Sequence, residues 1–340
     1  TDDNGNYLVA LLPVGAYAMT VSAPNMQSLT YSFRIKVGQT QPLDVTLKAG
    51  EELVEEVTVY GTATALETTT LGENFNYDTA VEELPIQNRN IEAVASLAPN
   101  IQFGPTPGSL AIAGAPSFDT VVLLDGAEIS DPYFGGGPTV FLSDAIEEVQ
   151  VMTSGVSARY GRFQGGVINA ITKSGGNTFD GTIRAEFDNE DWDSTTPFGE
   201  TTTDELNKVY QGTVGGYIMK DRLWFFGGLR YIPDTSTSGT TRATAETYVT
   251  NRSEDRWQLK LRGAINPNHI VELSHLDKTV DTTGRAGLPA YDLFAASGTR
   301  QDPQETTTLS YQGVVTSNMF IEFLGTEKKV SIKSGGDPAN

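Results

Sequence analysis

Residues 121–132 read VVLLDGAEISDP, and residues 142–177 read LSDAIEEVQVMTSGVSARYGRFQGGVINAITKSGGN. The continuous apolar run at 121–124 fits a short strand buried on both faces. Asp125-Gly126 ends it with a turn that needs residues tolerant of positive φ. Residues 142–146 read as a capped helical turn, and residues 147–152 alternate, presenting Val149 and Val151. Residues 155–166 are rich in small side chains around Arg159-Tyr160-Gly161 and lead into a last apolar strand at 167–172. The stretch is a dense mixture of strands and tight turns. The chain N-terminal to it reads as tethers and a small module. C-terminal to it, the pattern changes to long strands with one polar and one apolar face.

Composition narrows the class. Asp and Glu outnumber Lys and Arg 43 to 23 in 340 residues, for a formal charge of −20. Phosphate contacts need clustered Lys and Arg, so no nucleic-acid partner is expected. The absence of cysteine excludes disulfides and thiolate metal sites. Thirty-five glycines among short Thr- and aromatic-rich segments point to a mainly β chain. No apolar run reaches the length of a membrane-spanning helix, which leaves barrel strands open. The opening TDDNGNY starts inside a turn and the end KSGGDPAN lacks a terminal aromatic strand. The chain is therefore expected to be truncated at both ends.

Residues 1–50 read as a small β-sandwich module, with strands expected at 7–12, 16–23, 32–37 and 43–47. Residues 51–70, EELVEEVTVYGTATALETTT, form a polar linker around the β-prone tetrad Val57-Thr58-Val59-Tyr60, preceded by Glu55 and Glu56. An extended apolar tetrad in a tether suits addition to a sheet edge of another protein. It equally suits the first strand of the next domain. In residues 71–178, Tyr77-Asp78 opens a helix or turn. Asn88 or Asn90 can cap a short helix with Ile91, Val94, Ala95 and Ala98 on one face, which Pro99 stops.

Three runs in order carry a resemblance. They are L-P-x-x-x-R-N from Leu84, L-L-D-G-x-x-I-x-D-P from Leu123, and I-E-E-V-x-V-x-x-S-x-x-x-R-Y-G-R-x-x-G-G-V-I-N-A-I-T-K-S-G from Ile146. They resemble the plug domain of TonB-dependent outer-membrane receptors. The match is closest to the Oar-like branch, and residues 1–50 resemble the carboxypeptidase regulatory-like domain that stands in front of it. The resemblance implies a plug motif at Asp125, Gly126, Arg159, Tyr160, Gly161, Gly165, Gly166 and Asn169. It implies that Arg159 and Arg162 pair with acidic groups inside a barrel lumen. The position of Glu55, Glu56, Val57, Thr58, Val59 and Tyr60 ahead of the plug makes them resemble a TonB box, the segment gripped by a TonB-type periplasmic energy transducer.

Residues 179–340 read as the first strands of an incomplete transmembrane β-barrel. Trp257, Leu259, Leu261, Gly263 and Ile265 alternate with Arg256, Gln258, Lys260 and Arg262, one face suiting lipid and the other water. Strands are expected at 181–189, 208–219, 222–232, 254–265, 269–280, 305–316 and 319–325. Long joins at 190–207, 233–253 and 281–304 alternate with short ones at 220–221, 266–268 and 317–318, as external loops and periplasmic turns do. Seven strands fall short of the roughly 22 of a plugged transporter.

Catalytic and metal chemistry find little support. His269 and His275, six residues apart on one expected strand, are read as lying on opposite faces, with His275 near the rim of the lipid-facing surface and no zinc-binding pattern around either. Asp2-Asp3-Asn4 misses the spacing of a calcium loop, and no G-x-S-x-G elbow occurs. Gly135-Gly136-Gly137-Pro138 lacks the Lys-Ser/Thr of a phosphate loop and reads as a plug loop. Asp188, Glu190, Asp191 and Asp193 beside Trp192 read as a solvated outer loop. The expected fold is mainly β: a small sandwich, an α+β plug and antiparallel strands of a barrel. The resemblance implies a non-enzymatic outer-membrane transporter without cofactor or metal. Its N-terminal module would lie in the periplasm, its wall in outer-membrane lipid, and an unknown ligand would bind at the plug apex and external loops. The Oar-like branch also invites adhesion, surface contact or protein export.

Overall fold

The computed structural model describes residues 5, 7, 9, 11–37, 41–49, 58–60, 71–84, 89–104, 110–130, 142–189, 192, 206–240, 247–286, 297–316 and 319–336. The chain forms two compact units, Thr1–Pro138 with Ile146–Lys173, and Thr139–Ala145 with Ser174–Asn340.

The first unit opens with β1 (Gly15–Val21) and β2 (Leu29–Ile35), antiparallel, with Tyr17 opposite Phe33 and their rings stacked. β3 (Thr58–Tyr60) adds to β2 in parallel, Val59 opposite Tyr31, giving the order β1-β2-β3. The strands expected at 7–12 and 43–47 do not form among the described residues. Residues 41–48 run irregularly and touch the sheet through the Met26–Ala49 bridge and the Gln27 N–H on the Lys48 carbonyl. The open edge of β2 goes to β3, so alternation at 43–47 finds no partner there.

The plug fold comes next in the chain. β4 (Leu71–Asn76) runs into α1 (Tyr77–Glu83), capped by the Asn76 side chain accepting the Thr79 N–H at 3.0 Å. In the same way Asn90 caps α2 (Ile91–Ala95) from the Ala93 N–H at 2.7 Å, and all five residues of this short helix are buried. β5 (Ile101–Phe103) pairs with β6 (Leu110–Ile112). β7 (Val121–Leu124), β8 (Ala127–Glu128), β9 (Ile146–Ser154) and β10 (Val167–Thr172) complete a sheet ordered β4-β9-β10-β7-β8. β10 lies parallel to β7 and antiparallel to β9. Flanked on both sides, it is buried through Val167, Ile168, Asn169 and Ala170 alike. β9 departs from simple alternation: Ile146, Glu148, Val149, Val151 and Met152 are all buried, because β4 and β10 cover both of its edges and α1 and α2 pack against it.

The second unit is an antiparallel meander: β11 (Asp180–Asp188), β12 (Asn207–Met219), β13 (Leu223–Thr240), β14 (Thr247–Asn266) and β15 (His269–Ala286), then β16 (Ser297–Gln301), β17 (Gln304–Thr316), β18 (Met319–Val330) and β19 (Lys333–Gly336). β15 pairs with β17 over its first half and with β16 over its second, and β18 and β19 share the same division. Pro303, which has no N–H to give the ladder, sits at the break between β16 and β17. The expected long joins at 233–253 and 281–304 shrink. β13 and β14 continue past Pro233 as a paired ribbon to Thr240 and Thr247, with the register shift at Ile232/Thr235 absorbing the proline.

Register separates two faces. Leu229, Trp257, Leu259, Leu273, Leu309 and Ile183 stand on the outward face, Ile183 97% exposed. Phe226, Glu254, Arg256, Gln258, Lys260, Ser274 and Leu276 are buried on the other. Tyr210, Tyr231 and Trp257 border the outward apolar band, with Asp255 opposite Tyr231 and Asp277 opposite Trp257, the aromatic edge expected of a barrel in lipid. The two histidines share the outward face, correcting the opposite-face expectation, since six residues is a whole number of two-residue repeats. Their Nδ1 atoms bond Tyr311 Oη at 2.7 Å and Thr307 Oγ1 at 2.8 Å, and the His275 ring lies against Trp257 at the band's edge.

Candidate functional site

Three residues of the expected plug motif meet at one turn. Asp125 and Gly126 both have positive φ, 50° and 81°, the geometry of a tight hairpin joining β7 to β8. The Asp125 carboxylate accepts the Thr172 N–H at 2.9 Å and the Thr172 hydroxyl at 2.6 Å. The Gly126 N–H donates to Asn169 Oδ1 at 3.4 Å, and the Asp125 N–H donates to the Ala170 carbonyl. Asp125, Gly126 and Asn169 thus tie the turn to the end of β10, just before the chain leaves this unit. Thr172 belongs to the same knot, although the sequence offered no sign of it.

Gly165 and Gly166 are there for close approach. A Cβ on Gly166 would lie 2.6 Å from the Met152 carbonyl oxygen and 2.7 Å from Ile112 Cγ2; one on Gly165 would lie 2.9 Å from the Ile112 carbonyl oxygen. Gly161 has open space around it. Tyr160 packs with Val156 and Phe163 against the Val121, Leu123, Met152 and Val167 core. The arginines find partners within the first unit: Arg159 stacks on Tyr160 at 5.3 Å, and Arg162 Nη1 lies 3.3 Å from Glu128.

Of the segment expected to bind a partner, Glu55, Glu56 and Val57 lie outside the described residues, as does the loop Gly135-Gly136-Gly137-Pro138. Of the acidic outer loop, Glu190, Asp191 and Asp193 also lie outside them. Thr58, Val59 and Tyr60 form β3, already held as a strand on the β2 edge of the N-terminal module. That module is seated on β9. Arg34 Nη2 meets Glu147 at 2.8 Å, the Val37 N–H donates to Glu148 at 3.1 Å, and Gln150 Nε2 donates to the Val37 carbonyl at 3.4 Å. Burial pushes the Glu148 carboxyl up from its ordinary range, with the Val37 N–H, Lys36 and Arg34 pulling the other way.

In the second unit, Leu142–Ala145 lies on the polar face of the sheet. Leu142 packs with Ala145 and Phe226. Asp144, its side chain 4% exposed, meets Arg184 Nη1 at 2.7 Å, and Arg230 Nη1 reaches Ser143 Oγ at 3.5 Å. Register brings Arg184, Gln211, Arg230, Arg256 and Lys278 into one row across β11 to β15. Neither the Asp144 contact nor this row was visible in the sequence, because both depend on strand register.

Comparison with known proteins divides the chain in the same order. Residues 1–48 match the carboxypeptidase regulatory-like domain, residues 80–168 the TonB-dependent receptor plug domain, and residues 171–247 an outer-membrane beta-barrel domain. The TonB-dependent transporter Oar of Myxococcus xanthus is 29% identical over 255 residues, covering 67% of this chain and 23% of that protein. The outer membrane transporter YddB from Escherichia coli superposes with a TM-score of 0.60 at 15% identity, over 78% of this chain and 40% of its own. The siderophore receptor PirA from Pseudomonas aeruginosa gives 0.55 at 14% identity, over 78% and 41%. The two solved structures share the fold.

Proposed function

Since this chain carries the plug and opening barrel strands of the TonB-dependent outer-membrane receptors, behind a carboxypeptidase regulatory-like domain, we propose that it takes up a ligand through a plugged barrel by energy-coupled transport. The working parts run as module 1–50, linker 51–70, plug 71–178 and wall 179–340. Ligand binds at the plug apex and external loops. A TonB-type periplasmic partner grips the segment Glu55 to Tyr60 and pulls the plug, and the work is conformational, without covalent chemistry.

The observation that carries this reading is the state of Thr58–Tyr60. The segment lies between the regulatory-like module and the plug, and it already makes strand pairs with β2. A partner that takes it by β-augmentation offers the same backbone bonds on another sheet edge. Ligand binding has to favour the released form over the β2-paired form by differential affinity. Replacing Val57 or Val59 with Pro removes a donor from the segment. The expected result is abolished uptake with ligand binding intact, and unchanged uptake removes the segment from the mechanism.

A further inference from the structure

One row of the wall brings like charges face to face. On adjacent strands Gln211 faces Arg230, Arg230 faces Arg256, and Arg256 faces Lys278, all on the polar face of the second unit. Directly opposed side chains in a sheet stand about 5 Å apart, and like charges there repel. At one end of the row Asp144 meets Arg184, the residue opposite Gln211, at 2.7 Å; at the other, Glu254 stands two positions along β14. It is already shared by Arg252 at 2.9 Å, by Arg256, and by Lys278 at 3.9 Å. Arg230 has Ser143 Oγ within reach, but no carboxylate among the described ion pairs. Among the described residues its Nε–H is buried without a hydrogen-bond partner, and so is the Nε2 amide of Gln211, a residue 5% exposed.

Buried donors left unpaired, one of them cationic, cost free energy that a site keeps only if something offsets it. Guanidinium and ammonium groups set in one row with an amide donor suit an oxyanion, through short charge-assisted hydrogen bonds. The outward residues flanking the row are Tyr210, Tyr231 and Trp257, so it stands level with the aromatic border of the lipid-facing band. The strand ends beyond that border lie opposite the short turns at Met219–Leu223 and Asn266–His269, which is the external side of such a barrel.

We propose that Gln211, Arg230, Arg256 and Lys278 form a wall site for the anionic oxygens of the transported ligand, a carboxylate, phosphate or sulfate group. The proposal rests on the transport reading and deepens it by naming the ligand class.

The test uses the full-length receptor in detergent, with sodium phosphate, sulfate and citrate as probes against sodium chloride at matched ionic strength, read as the thermal unfolding midpoint. The midpoint should rise with the preferred oxyanion beyond the chloride control, the three probes ranking the group preferred. In Arg230→Gln and in Lys278→Gln the apparent affinity should fall about tenfold or more, while Arg222→Gln at the short turn should leave it unchanged. Removing one cation relieves repulsion, so these variants should fold; heat-modifiable mobility checks it. Gln258→Glu supplies a carboxylate beside Arg256 and Lys278, and should raise the midpoint in chloride while removing the oxyanion response. A wild-type response no greater than in chloride, or an equal response in Arg230→Gln, overturns the site. Purified receptor needs no energised partner, so this failure is separate from a failure of uptake to depend on proton-motive force.

Discussion

Asp125 holds Thr172 twice, through its backbone N–H at 2.9 Å and its hydroxyl at 2.6 Å. The hairpin turn that opens the plug motif is thereby fastened to the last residue of β10. A hydrogen bond to a charged acceptor contributes about 1.5–3 kcal/mol. Asp125→Ala should destabilise the plug by about 2–4 kcal/mol and deprotect the Thr172 amide in hydrogen exchange ahead of the β10 interior. Asp125→Asn, which keeps tolerance of positive φ and one acceptor, should cost less.

The two glycine positions of the motif should separate in the same kind of measurement. Gly166→Ala forces a methyl against the Met152 carbonyl and Ile112 and should cost about 1–3 kcal/mol as overpacking. Gly161→Ala meets open space and should change the denaturation midpoint little.

Lipid contact is testable by depth. Leu259 stands within the outward apolar band, whereas Val249 stands on the same face of β14 beyond the band's charged border. Arg at position 259 should cost about 2–4 kcal/mol, and Arg at 249 about 0–1 kcal/mol. The heat-modifiable fraction recovered on folding into lipid vesicles over a urea series gives both values.

Glu148 predicts a pH dependence for the first unit. Its carboxyl is buried and its pKa is raised above the ordinary 4.5, chiefly by that burial. The folded state therefore holds this proton more tightly than the unfolded state. Stability from this group is full below the unfolded value and falls as pH rises from there through the raised folded value, then levels off. Glu148→Gln keeps an acceptor for the Val37 N–H and should flatten that segment of the curve while raising stability at neutral pH. Chemical denaturation of wild type and variant across the acid range checks it.

Much of this was legible in the residues. The apolar run at β7, the Asp125-Gly126 turn and the alternation through Trp257, Leu259 and Leu261 each have one physical reading, and the structure agrees with it. The ribbon beyond Pro233 was not legible. Its Thr, Ser, Gly and Pro composition reads as loop, yet pairing of Thr235 with Arg252 across a register shift extends both strands. Asp125 and Thr172 lie 47 residues apart, and the Gln211–Arg230–Arg256–Lys278 row exists only once four strands share a register. Local pattern carries neither. β3 turned back onto β2 because Tyr31 and its neighbours offered an open edge, a choice no property of the tetrad alone decides.

The central claim is that Thr58–Tyr60 must leave β2 for transport to occur. The chain has no cysteine, so Tyr31→Cys with Val59→Cys, which face each other in the pairing, makes a clean crosslink in the full-length receptor in cells. The expected result is disulfide formation in resting cells, ligand bound normally, uptake lost, and uptake restored by reductant. Full uptake by fully crosslinked receptor contradicts the account.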